Sequence, residues 1–64
     1  MPIARLSIME GRSEQEIATL IQAVTEAIHT TLDAPHHNIR VLVDVVPCAQ
    51  WGIGGQTAAA LGVS

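Results

Sequence analysis

The sequence has no lysine, phenylalanine or tyrosine, and only one cysteine and one tryptophan. Its cationic side chains are three arginines, Arg5, Arg12 and Arg40, set against six acids, for a formal net charge of −3. Binding nucleic acid needs a basic patch to neutralise phosphates, so nucleic acid is excluded as a partner. Cys48 has no second cysteine to bridge to within the chain. His29, His36, His37 and Cys48 lack the ligand-pair spacing of a zinc finger, so no structural metal is expected. No apolar stretch approaches the roughly 20 residues that cross a bilayer, so no membrane partner is expected. The N-terminus lacks a basic region followed by a hydrophobic one, so it does not read as a signal peptide, and the cytoplasm is the expected location.

What is there is apolar. Hydrophobic residues make up 48% of the 64, which is not the composition of a disordered chain. A chain this short buries only about 60% of the surface that its unfolded form exposes. Below about 70–80 residues a fold needs disulfides, a metal or a partner chain. With the first two excluded, a homo-oligomer of a single 1–64 domain is expected.

Pro2 to Met9 reads as a strand, with Pro2 confined to its beginning because it has no amide proton for a ladder. Glu10-Gly11-Arg12 breaks it. Ser13 and Glu16 form the S-x-x-E signature of a helix start. Ile17, Leu20, Ile21, Val24, Ala27, Ile28 and Leu32 then recur at three and four and predict one buried stripe. Glu14, Gln15, Thr19, Gln22, Glu26 and His29 are expected to be wet. Asp33-Ala34-Pro35 ends the helix. Ile39 to Val46 is a second strand whose nearly continuous apolar run predicts cover on both faces. Strand, helix and strand make one βαβ unit, an α/β fold with parallel strands. Three glycines in Trp51-Gly52-Ile53-Gly54-Gly55 predict a short C-terminal hairpin, and Thr57 to Leu61 a helical turn.

Four residues could carry chemistry. Initiator methionine is normally removed before a small residue, and loss of Met1 would turn Pro2 into a secondary amine. An α-amino group titrates at about 7.7–8.0, and burial or nearby cations lower that value. Such an amine can take a proton from one atom and return it to another. Arg12, between Gly11 and the helix cap, and Arg40, near the start of the second strand, can each grip a carboxylate with two donors. Taken singly they read equally well as ordinary residues: Arg12 solvated in a turn, Arg40 paired with Asp44 or Glu10. Trp51 is either core or interface filler, or a wall that excludes water. Glu10 could orient Arg12 or pair with another chain, His29 suits the negative end of the helix dipole, His36 and His37 suit a solvated loop better than an adventitious metal, and Cys48 has no partner base.

Taken together, Pro2-Ile3-Ala4, Glu10-Gly11-Arg12-Ser13, Leu32-Asp33-Ala34-Pro35, Arg40-Val41 and Gly52-Ile53-Gly54-Gly55 are similar to 4-oxalocrotonate tautomerase over essentially the whole chain. The resemblance implies a tautomerase-like fold completed as a hexamer, a trimer of dimers, with pockets shared between chains. It implies that Pro2 is the acid–base. It also implies that Arg12 and Arg40 bind the substrate carboxylates and assist catalysis, and that Trp51 stands where the family usually has phenylalanine in the pocket wall. The implied reaction converts a 2-hydroxydienoate such as 2-hydroxymuconate to an unsaturated 2-oxo acid, in aromatic hydrocarbon catabolism, with no metal or organic cofactor. The chain departs from the family in Trp51, in His36-His37, and in a C-terminus, Leu61-Gly62-Val63-Ser64, that lacks the often basic tail. Two alternatives remain open: the same apparatus on another carboxylate, in dehalogenation by hydration or in a biosynthetic step, and a non-catalytic oligomeric βαβ module.

Overall fold

The computed structural model describes residues 1–63; Ser64, the last residue of the tail and of the expected domain, lies outside the described residues. Strand β1 (Ile3–Met9) leads through Gly11, at φ 118°, into helix α1 (Glu14–Leu32), which returns the chain to strand β2 (Arg40–Val46). The two strands pair in parallel along their whole length, from Ile3 opposite Arg40 to Met9 opposite Val46. Both are one residue shorter at the front than their sequence patterns predict: Pro2 has no N–H to give, and Ile39 turns in and is buried.

Alternation along the strands decides which side meets the helix. Ala4, Leu6, Ile8, Val41 and Val43 are half-buried, as are Ile17, Leu20, Ile21, Val24 and Ile28 on α1. Ile3, Arg5, Ser7, Leu42 and Asp44 lie exposed. The cover expected on both faces of β2 is therefore present on one face only within this chain. The predicted helical stripe holds with two exceptions, Ala27 and Leu32, the latter 62% exposed at the helix end. His29, expected to be wet, is half-buried because its ring packs on that of His36.

Helix α1 starts as its sequence dictates. The Ser13 hydroxyl accepts from the Glu16 N–H at 3.1 Å, and the Ser13 N–H donates to Glu16 Oε1 at 3.0 Å. It ends at Asp33, which takes a left-handed conformation at φ 56°. Each of the two later prolines, Pro35 and Pro47, opens a 3-10 turn, at His36–Asn38 and Cys48–Gln50. Strands β3 (Gly52–Ile53) and β4 (Gln56–Thr57) form the expected hairpin around Gly54 and Gly55. Both glycines have positive φ, the requirement of a two-residue primed turn. Thr57 then caps the one-turn helix α2 (Ala58–Leu61), its hydroxyl accepting from the Ala60 N–H at 3.1 Å.

The chain is thin, with extents of 43 × 23 × 13 Å. Its radius of gyration is 14.5 Å, where a compact domain of this length has about 11 Å. Among the described residues only Ile39 and Ala58 are buried, while Ile3, Leu42 and Val45 are 57%, 44% and 50% exposed. No helix among the described residues is long and apolar enough to cross a membrane.

Replacing Ser13 by alanine removes the cap and is expected to cost about 1 kcal/mol, measured by urea unfolding at fixed protein concentration. The hydrogen bonds from Ser13, aided by the Arg12 charge, hold the Glu16 carboxyl below its ordinary value. A lowered folded-state value means that the ionised form supports folding. The advantage of the wild type over Glu16→Gln is therefore full above the unfolded carboxylate value, about 4.3, and disappears as pH falls through the lower value of Glu16. An advantage that does not change with pH would show that the Glu16 charge contributes nothing.

Candidate active site

One end of the β1–β2 ladder carries Pro2 and Arg40. The Arg40 N–H donates to the Pro2 carbonyl at 3.1 Å, so the parallel pairing itself fixes the two backbones side by side. Pro2 is half-buried, and Met1 beyond it is 77% exposed. While Met1 is attached the Pro2 nitrogen is an amide and has no basicity; its removal leaves a secondary amine at the strand's tip. The Arg40 side chain folds back, with Nη1 donating to the His37 carbonyl at 2.8 Å and to the Ile39 carbonyl at 3.4 Å. It pairs with neither Asp44 nor Glu10, the partners that sequence suggested. Asp44 lies opposite Ser7, four residues further along the ladder, and Glu10 is at its far end.

That far end carries Arg12 and Trp51. They line a cavity of about 640 Å³ together with the end of β1 (Ile8, Met9), the turn at Gly11 and the first turns of α1 (Ile17, Leu20). One wall is thus apolar and the rim is charged. The Arg12 Nη1 stands 3.8 Å from Glu16 Oε2, with both side chains well exposed. Such a surface pair is worth about 0–1 kcal/mol, so the guanidinium is free to exchange Glu16 for a stronger anion. Trp51 is held from the backbone: its carbonyl accepts from the Ala58 N–H at 2.8 Å, which ties the tryptophan to the start of α2. Glu10 does not orient Arg12. Its Oε1 accepts from the Cys48 N–H at 3.2 Å, and the carboxylate beside the thiol pushes the Cys48 value up, away from nucleophilic use.

The structure therefore gathers the four residues as two pairs. Pro2 and Arg40 share one end, and Arg12 and Trp51 share the other. The six steps of β1 between them span about 20 Å at a strand's rise of 3.3 Å per residue. Among the described residues, the cavity lined by Arg12 and Trp51 includes neither Pro2 nor Arg40 in its wall. Sequence reading missed the links among Glu26, His29 and His36; their signal was the His-rich stretch following a proline that closes a helix.

The chemistry within reach of these groups is proton transfer on a carboxylate-bearing molecule, the work of a small acid–base isomerase. Residues 2–60 match the model of the family described as "Tautomerase enzyme". A 2-hydroxymuconate tautomerase of Stutzerimonas stutzeri is 48% identical over 62 residues, covering 97% of this chain and 98% of the relative. One from Comamonas testosteroni is 42% identical, with the same coverage. Among solved structures, a 4-oxalocrotonate tautomerase homologue in the tomaymycin biosynthetic pathway superposes with a TM-score of 0.92 at 41% identity, covering 98% of this chain and 97% of its own. The chain belongs to the tautomerase family, and it is an isomerase of that kind.

Proposed function

We propose that this tautomerase ketonises a 2-hydroxydienoate, 2-hydroxymuconate or a near analogue, with Pro2 as acid–base after loss of Met1. The observation that carries the reading is the division of the site. A proline and an arginine sit at one end of the ladder, an arginine and an aromatic wall sit at the other, and the sheet face between them is bare. Two chains placed so that opposite ends meet would complete a pocket.

In that pocket the Pro2 amine takes the enolic proton from the 2-oxygen. The O–H bond breaks, its electrons become the carbonyl π bond, and the diene electrons shift toward the far carboxylate. The same amine, now protonated, gives the proton to a diene carbon, so the amine ends as it began. Arg40 grips the near carboxylate and the 2-oxygen, where charge develops. Arg12 grips the far carboxylate and draws electron density toward it. The Trp51 ring is the wall that keeps water from the amine. No step calls for a metal or an organic cofactor.

The assembly we propose is a homohexamer of 1–64 domains, a trimer of dimers, working in the cytoplasm in aromatic hydrocarbon breakdown. The exposed Ile3, Leu42 and Val45 and the flat shape support association with further copies. The similarity to a tautomerase homologue in a biosynthetic pathway supports a second reading, the same apparatus on a different carboxylate.

The test is ultraviolet-monitored ketonisation of 2-hydroxymuconate by protein whose mass confirms loss of Met1. Pro2→Ala is expected to lower kcat by about 10²–10⁴-fold, and Arg12→Ala and Arg40→Ala to raise KM. Undiminished turnover in Pro2→Ala would refute the acid–base role. No turnover by correctly processed protein would refute this substrate and turn the search to other carboxylates.

A further inference from the structure

Helix α1 and the segment after it are joined by side chains that the reaction does not use. Three links make the junction. His29 Nδ1 lies 2.7 Å from the Ala34 carbonyl. That carbonyl can only accept, so the proton of this contact belongs to His29. The His36 ring stacks on the His29 ring, with centroids 3.8 Å apart and planes inclined by 26°. His36 Nε2 lies 2.7 Å from Glu26 Oε1, and donates to that carboxylate. Glu26 and His29 stand three residues apart and so share one face of the helix.

The segment held in this way ends at the proposed substrate-binding arginine. Within the 3-10 turn the Asn38 N–H donates to the Pro35 carbonyl at 3.0 Å, and the Ile39 N–H donates to the His36 carbonyl at 3.1 Å. The next carbonyl, that of His37, accepts from Arg40 Nη1 at 2.8 Å. Among the described residues the hydrogen bonds of the Arg40 side chain all run through Nη1. Its Nε and Nη2 therefore keep their N–H groups free, side by side on one edge. With Nη1 engaged, that is the edge left to meet the two oxygens of a carboxylate.

We propose that the Glu26–His36–His29 clasp is a positioning device for Arg40. It fixes the turn that presents the His37 carbonyl; the carbonyl holds Nη1; and the Nε–Nη2 edge is left pointing out, ready for a carboxylate. The proposal deepens the reading of Arg40 as a substrate-binding residue and rests on it for its functional meaning. Its structural content stands by itself. Ordering the long arginine side chain before substrate arrives removes part of the entropy that binding would otherwise cost. In this proposal His36 and Glu26 act through Arg40, as positioning residues.

The experiment reads the guanidinium directly. The chain has only three arginines, so their ¹⁵Nε–H resonances separate by substitution. In the wild type the Arg40 signal is expected to relax as a rigid group. In His36→Ala it is expected to lose order, while Arg5 and Arg12 stay unchanged. Glu26→Ala, an exposed change at the other side of the clasp, is expected to do the same, and covers the case in which His36→Ala does not fold. His36→Gln, which keeps a donor toward Glu26, is expected to restore part of the order. Kinetically, His36→Ala should raise KM for 2-hydroxymuconate several-fold, and this effect should vanish when Arg40 is already alanine.

An Arg40 signal equally ordered in the wild type, His36→Ala and Glu26→Ala would overturn the proposal. So would a KM effect of His36→Ala that persists undiminished in the Arg40→Ala background. If Arg40→Ala proves fully active, the reading of Arg40 as a substrate-binding residue fails. The relaxation measurement then still decides whether the clasp orders the side chain.

Discussion

The in-register parallel pairing of β1 with β2 organises everything else in this chain. It sets the Arg40 N–H on the Pro2 carbonyl at one end. At the other end the Glu10 N–H bonds the Val46 carbonyl at 2.9 Å and holds in place the turn that carries Arg12. Because a strand is stiff and extended, the same ladder that aligns each pair keeps the pairs about 20 Å apart. A flexible loop in its place would let Arg12 fold back toward Pro2. Here the connection is strand β1, so the distance within one subunit is set by the fold.

The separation and the thin core have a common origin. A βαβ unit with one helix covers one sheet face. The period of two in β1 and β2 sends Ala4, Leu6 and Val43 toward α1 and leaves Ile3 and Leu42 outside. The isolated subunit therefore lacks a second layer and, on the function we propose, half of each pocket. In the assembly we propose, one event supplies both, so folding, burial and pocket formation would share a single free-energy balance.

Much of this was legible in the residues. Ser13 and Glu16 mark the helix start because the capping box is a local motif with a local cause. The Ile17-to-Ile28 stripe, Ala27 excepted, marks its half-buried face because residues three and four apart fall on one side of a helix. The Gly54-Gly55 turn is legible because few other residues adopt positive φ twice in succession. What could not be read depended on encounters across the chain. The contact between Glu10 and Cys48 spans 38 positions. The stacking of His29 with His36 needs the reversal at Asp33 in a left-handed conformation, which the following Pro35 hints at but does not specify. The two 3-10 turns follow prolines and were legible in principle; their short length hid them. Pro2, Arg12 and Arg40 stood out only in combination, since each alone has an ordinary reading, and their division between two ends of a ladder needed the register.

The central claim is that a working pocket takes its proline from one chain and Arg12 from another. Mixing the two inactive variants tests it. Pro2→Ala and Arg12→Ala proteins, unfolded together and refolded as mixed assemblies, would regain activity, because about a quarter of the pockets in a random equal mixture would combine an intact Pro2 with an intact Arg12. The account predicts turnover well above that of either variant refolded alone. Mixed assemblies, verified by mass, that remain as inactive as their parents would contradict it.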